Sequence, residues 1–227
     1  MKFECKYCKK SFAKETTLMV HICEQKKRYQ SQNETGIQIA LRAYQKFYEI
    51  SQGSGKTKSF DDFAKSPYYR AFARFGQYCV SIRAINIPRF TEWLLKNNKK
   101  IDYWCSDRVY GEFLMQYLQI ESVTDALERA VKEMQLYVEE HPELKNGITD
   151  YFRYGNSNRI CYAISVGRIS PWVLYSCKSG VEFLNNLDSS QVTMIWEIID
   201  ADFWKKKFAD YPEDVKYVTE ILSQAGW

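Results

Sequence analysis

The sequence predicts a mainly α chain: a small cysteine-rich module over residues 1–30, then an all-α multi-helix domain over residues 31–227. Three observations carry this reading. Apolar residues recur at spacings of three and four through most of the chain beyond residue 36, the period of a helix with one buried face. Ser and Pro stand where those segments should begin, and Gly where several should end. No turn dipeptide joins alternating apolar runs beyond the first thirty residues, so hairpins have no signal there.

The first element is a cluster. Cys5, Cys8, His21 and Cys23 fall within nineteen residues and include three of the seven cysteines and one of the two histidines. Such crowding points to a metal in a reducing compartment. Cys79, Cys105, Cys161 and Cys177 stand singly among apolar neighbours, as small core residues do. The stretch "EQKKRYQSQNETG" is polar and reads as a separator. "IQIALRAYQKFYEIS" is helical, with Ile37, Leu41, Tyr44 and Tyr48 as its stripe. Ser59 and Asp62 form a capping-box pair, the acid standing in the usual Glu position. Ser66 and Pro67 offer a cap and first turn to "SPYYRAFARFGQYCVSIR", whose stripe runs Tyr68, Phe72, Phe75, Cys79, Ile82. Its Tyr69 and Tyr78 lie off that stripe, beside Arg70, Arg74 and Arg83, in positions to meet a ligand. Pro88 opens the next helix, and Ser106 the one carrying Val109, Phe113 and Tyr117. Ser122 and Asp125 open the most regular helix, with Leu127, Val131, Met134 and Val138 inward. "NRICYAISVG" has β-branched content, but Gly167 sits where a helix would be capped, so a helix is expected. Further short helices follow to the end, for about eight to ten in the domain over residues 31–227.

Composition bounds the function. With 227 residues, 45% of them hydrophobic, there is apolar material for one sizeable core or a core plus a satellite. No apolar run approaches the ~20 residues of a membrane span, and "MKFECKYCKK" has no apolar leader. A cytoplasmic protein without membrane partners is expected. The net charge of +4 is localised: residues 1–35 hold eight Lys/Arg and four Asp/Glu, so the remainder balances to zero. A basic end on a neutral body suggests an acidic partner for that end, nucleic acid first.

Written as a pattern, the start reads Phe3-x-Cys5-x2-Cys8-x3-Phe12-x5-Leu18-x2-His21-x-Cys23. Up to His21 this resembles the C2H2 zinc-finger family position for position. The resemblance implies a ββα module in which Cys5 and Cys8 bind zinc from a hairpin, His21 binds it from a helix, and Phe3, Phe12 and Leu18 form a tiny core. So small a core needs the metal's binding energy to fold. The departure is the fourth ligand. The family places it about one helical turn after the histidine, whereas Cys23 is two residues on, a rotation of about 200° along a helix. A thiolate is a far better zinc ligand than an amide or exposed carboxylate. The expectation is therefore a helix that stops near His21, with Cys23 closing a site of three cysteines and one histidine from a turn.

In the family, positions matching Lys14, Thr16, Thr17 and Val20 read bases. Here Lys14 suits guanine or phosphate, and the other three read weakly. Lys6, Lys9, Lys10, Lys26, Lys27 and Arg28 are candidates for phosphate contacts, which position without specifying. The expected function is non-enzymatic nucleic-acid binding of low sequence specificity, DNA before RNA, with the finger as a tether. The alternative is an adaptor whose finger docks a protein partner within a replication, transcription or assembly complex. A third reading, a metal-dependent nuclease, would use Asp200 and Asp202 beside Glu197, although acids so placed are usually helix caps. "GSGKT" at 53–57 imitates the tail of a P-loop, but Ile50 stands where a glycine is needed and a helix precedes it. His141 at a helix end reads as a dipole cap.

Overall fold

A computed structural model of the chain describes residues 2–53 and 57–227. Ser54, Gly55 and Lys56 of the "GSGKT" loop, and with them most of the P-loop-like motif, lie outside the described residues. The chain divides into two compact units, residues 1–106 and 107–227. The fold class is the expected one: a two-stranded antiparallel sheet and short helix at the N-terminus, followed by helices.

The first unit opens with β1 (Phe3–Glu4) and β2 (Ser11–Phe12), paired Phe3 to Phe12 and Glu4 to Ser11. Then come α1 (Glu15–Met19), α2 (Glu24–Gln30), α3 (Thr35–Gln52), α4 (Phe60–Lys65), α5 (Tyr69–Ser81), α6 (Ile87–Lys96) and a single 3-10 turn at Ile101–Tyr103. The stretch read as a polar separator therefore contains a helix, α2. Its own residues are polar enough to hide it from a hydrophobic pattern, because it leaves none of them fully buried. The helix starts follow side-chain chemistry. Ser59 and Asp62 make the expected reciprocal capping box. Asn86, in the left-handed region at φ 40°, caps α6 ahead of Pro88.

Two details of packing differ from the periodic reading. On α3 the buried face is Gly36, Ile37, Ala40, Ala43 and Tyr44, while Leu41 and Tyr48 are only half-buried. Small residues face inward because α3 and α5 cross closely: a Cβ on Gly76 would stand 1.9 Å from the Gly36 carbonyl oxygen. On α5 the helix begins at Tyr69, not Pro67. Ser66 instead ends α4, and its hydroxyl accepts the Tyr68 N–H at 3.1 Å. That shift buries Tyr69 and leaves Tyr68 half exposed, the reverse of their expected placement. Phe63, Phe72, Phe75, Phe90 and Trp104 complete the core, with Trp104 edge-on to Phe72 and Phe75 and its indole N–H donating to the Lys99 carbonyl at 2.8 Å.

The second unit comprises α7 (Asp107–Ile120), α8 (Val123–Glu140), α9 (Tyr151–Tyr154), α10 (Ser157–Ser165), α11 (Pro171–Ser176), α12 (Lys178–Asn185), α13 (Ser189–Ile195), α14 (Ala201–Asp210) and α15 (Pro212–Gln224). "NRICYAISVG" is helical, as expected, and Gly167 ends it at φ 78°. Two largely buried ion pairs are built into this unit. Arg129 forks onto Glu121 at 2.6 and 2.8 Å and onto the Gly167 carbonyl at 2.8 Å, and Arg168 meets Glu133 at 2.7 Å. Burial nevertheless leaves the Glu121 carboxyl above its ordinary value, because desolvation outweighs Arg129. Among the described residues of 31–227 there are thirteen α-helices, α3 to α15, more than the eight to ten expected there. Among the described residues, no helix is long and apolar enough to cross a membrane.

Candidate metal centre

Cys5 follows β1 in a tight turn: its N–H donates to the Lys10 carbonyl and its carbonyl accepts the Lys9 N–H, both at 2.9 Å. Lys9 takes φ 60° to close that turn, and both thiols of the Cys-x2-Cys pair are thereby held beside the hairpin. Helix α1 stops at Met19, with Val20 as its cap. Residues 21–23 are not helical, and Cys23 is extended at φ −102°, ψ 163°. In extended backbone, residues two apart share a side. The short His21-to-Cys23 spacing, which a helix could not use, is thus the right spacing for this segment, and Ile22 between them points out, 62% exposed.

Cys23 is also the N-cap of α2, its sulfur accepting the Lys26 N–H at 3.3 Å. The site is closed by the N-cap of the following helix. Cys5, Cys8, His21 and Cys23 bring their donor atoms within 4.8 Å of one another. The Cys5 and Cys23 sulfurs are 4.0 Å apart, and Cys8 Sγ lies 3.3 Å from His21 Nε2. Around a tetrahedral zinc with bonds near 2.3 Å to sulfur, thiolates stand about 3.8 Å apart. The four donors therefore enclose a space the size of one such ion, and this donor set suits a borderline-soft cation. The Cys8 N–H holds the Cys5 thiol below its ordinary value. Cys8 accepts the Lys10 N–H, yet desolvation and the crowding Cys23 and Cys5 thiols raise it overall. A cation among the thiols would favour deprotonation of all three.

Phe3 faces Phe12 across the hairpin, and the Phe12 ring lies 4.7 Å from His21. Phe3, Phe12 and Leu18 are each only half-buried, the consequence of so few residues covering one another. Lys6, Lys9, Lys10, Lys14, Thr17 and Lys27 are exposed, as phosphate contacts would need to be. Lys9 is 3.7 Å from Glu4. Lys26 is half-buried, with its ammonium 3.4 Å from the His21 carbonyl. Arg28 is turned inward: it donates to the Ala64 carbonyl at 2.7 Å and to Glu24 at 2.6 Å, and its guanidinium covers the Tyr69 ring at 4.4 Å.

Arg28 belongs to a seam that sequence reasoning missed. Glu24 is gripped by Arg70 at 2.8 and 3.1 Å, and Arg70 together with Arg28 holds its carboxyl down to about 2. Tyr29 donates to Asp61, which with burial pushes the phenol up to about 12, and its ring packs on Tyr7 and Phe60. The available signal was the Glu24–Arg28 spacing of four, a helical ion pair in a stretch that looked like linker. Through α2 the candidate metal centre is joined to α4 and α5.

The acids considered for a nuclease do not gather. Asp200 caps α14, accepting the Asp202 and Phe203 N–H groups at 3.1 Å. Among the described residues, the only group of three or more Cys, His, Asp or Glu with convergent donors is the N-terminal one. His141 caps the C-terminus of α8 and lies 2.9 Å from Arg159. No family model, curated protein or solved structure matches the chain.

Proposed function

We propose that the N-terminal module is a zinc-stabilised finger that tethers nucleic acid, DNA before RNA, by its phosphates. Three thiolates and one imidazole at these separations are a donor set zinc favours, and a closed four-ligand site is structural, not catalytic. The observation that carries the nucleic-acid reading is the finger's unspent positive charge. Lys6, Lys10, Lys14 and Lys27 are exposed and have no carboxylate partner among the described residues. Cationic side chains so arranged bind phosphate irrespective of sequence. The base-reading positions hold little more than Thr16, Thr17 and Val20, and α1 has only five residues to offer a groove.

A second reading rests on a separate observation. Met19, Val20 and Ile22 are 73%, 76% and 62% exposed on the same finger, an apolar run that would suit a docked protein. Binding to duplex DNA of arbitrary sequence separates the two. The metal-loaded protein should lose affinity steeply as salt rises, and Lys14→Ala and Lys27→Ala should each lower the slope of log affinity against log salt by about 1. Salt-insensitive or absent binding, with zinc present at one equivalent, leaves the adaptor reading.

A further inference from the structure

The end of α13 carries a hollow that neither the finger nor the nucleic-acid reading uses. Ile195 and Ile198 anchor this segment inside the second unit, and the turn between them throws Trp196 outward, 62% exposed, next to Met194 at 48%. Met194, Trp196 and Ile198 border a cavity of about 490 Å³ lined from α7, α10, α13 and the turn after α13, within the range that holds a ligand group. One wall is Gly111, in the middle of α7. A mid-helix glycine is destabilising relative to alanine. Nothing lies within 4 Å of where its Cβ would stand, so close helix packing does not explain it. Its bare backbone leaves the hollow open.

Glu197 lines the same cavity, exposed, with no hydrogen bond or ion pair among the described residues. A carboxylate lining the same hollow as an indole repels an anion and attracts a cation, and tryptophan is the best aromatic partner for one. A protruding Trp and Met at a rim are also what protein interfaces enrich. We propose that this hollow receives the arginine or lysine side chain of a basic segment on a partner protein, its charge on Glu197 and its stem against Trp196 and Met194.

The test uses the full-length, metal-loaded protein and the probe acetyl-Ala-Arg-Ala-amide, with the neutral isostere in which citrulline replaces arginine. The readout is the Trp196 indole N–H resonance, assigned by its loss in Trp196→Phe. The arginine probe should shift it saturably, the citrulline probe should bind about tenfold more weakly, and Glu197→Gln should erase that preference. Gly111→Phe should fill the hollow and abolish the shift, with Gly111→Ala as the folded control. Equal binding of the two probes would overturn the proposal, as would no shift at tens of millimolar. A shift by oligo-deoxythymidine that survives Glu197→Gln would likewise overturn it, in favour of base stacking. None of these readouts involves the finger, so they stand apart from the outcome of the DNA experiment.

Discussion

Arg28→Met separates the two roles open to Arg28, a phosphate contact or a bolt inside the protein. The methionine keeps most of the apolar stem and removes the guanidinium. Three contacts go with it. The hydrogen bond to the Ala64 carbonyl serves one of the orphan acceptors at the end of α4, at 2.7 Å and beside a residue that is 0% exposed. A charge-assisted bond to a buried acceptor contributes about 1.5–3 kcal/mol. The stacking over Tyr69 adds about 1 kcal/mol. The Glu24 pair adds little, since Glu24 is half exposed and keeps Arg70. The variant should therefore lose roughly 3 kcal/mol, measured by denaturant unfolding followed by circular dichroism with zinc saturating. DNA affinity per folded molecule should be unchanged. Lys14→Ala should behave oppositely, weakening binding with stability within about 0.5 kcal/mol of the parent. An Arg28→Met protein as stable as the parent, with weaker DNA binding, would refute the docking seam and return Arg28 to the phosphate-binding surface.

Other outcomes follow from single contacts. Cys23→Ser should weaken zinc binding sharply in a chelator competition yet retain the helicity of α2, because serine is a good N-cap and a poor zinc ligand; unchanged affinity would remove Cys23 from the site. Gly76→Ala should prevent the first unit from folding normally, since its Cβ would lie 1.9 Å from the Gly36 carbonyl oxygen, whereas Gly111→Ala, facing open space, should raise stability by up to about 1 kcal/mol. Arg129→Met should cost about 3 kcal/mol by denaturant titration, because it strands the fully buried Glu121 carboxylate. The Tyr29 phenol, held up to about 12 by Asp61, favours the neutral form in the fold. Its stabilising contribution is complete below the unfolded value of about 10 and is lost as pH rises from there towards 12. Tyr29→Phe should flatten that part of the stability–pH curve.

Features that depend on local chemistry were legible in the residues alone. The Ser59–Asp62 capping box and the helix in "NRICYAISVG" are written in near neighbours, where backbone geometry sets which groups can meet, whereas the metal cluster, legible as a spacing pattern, closes across thirteen residues from Cys8 to His21 and eighteen from Cys5 to Cys23. Even the odd His21-to-Cys23 spacing was informative, since it excludes a continuous helix and demands a break that the structure supplies. Which faces are buried and which charges are free depends on packing between distant segments. The small-residue face of α3 was invisible because hydrophobic periodicity weighs large side chains, while a close helix crossing needs the smallest. Arg28 and Lys27 are adjacent and alike in charge; one is exposed and the other is held by the Ala64 carbonyl, thirty-six residues away. Tyr68 and Tyr69 exchanged their expected exposures through a shift in one helix start. Each of these turns on contacts between segments far apart in the chain, which no local pattern encodes.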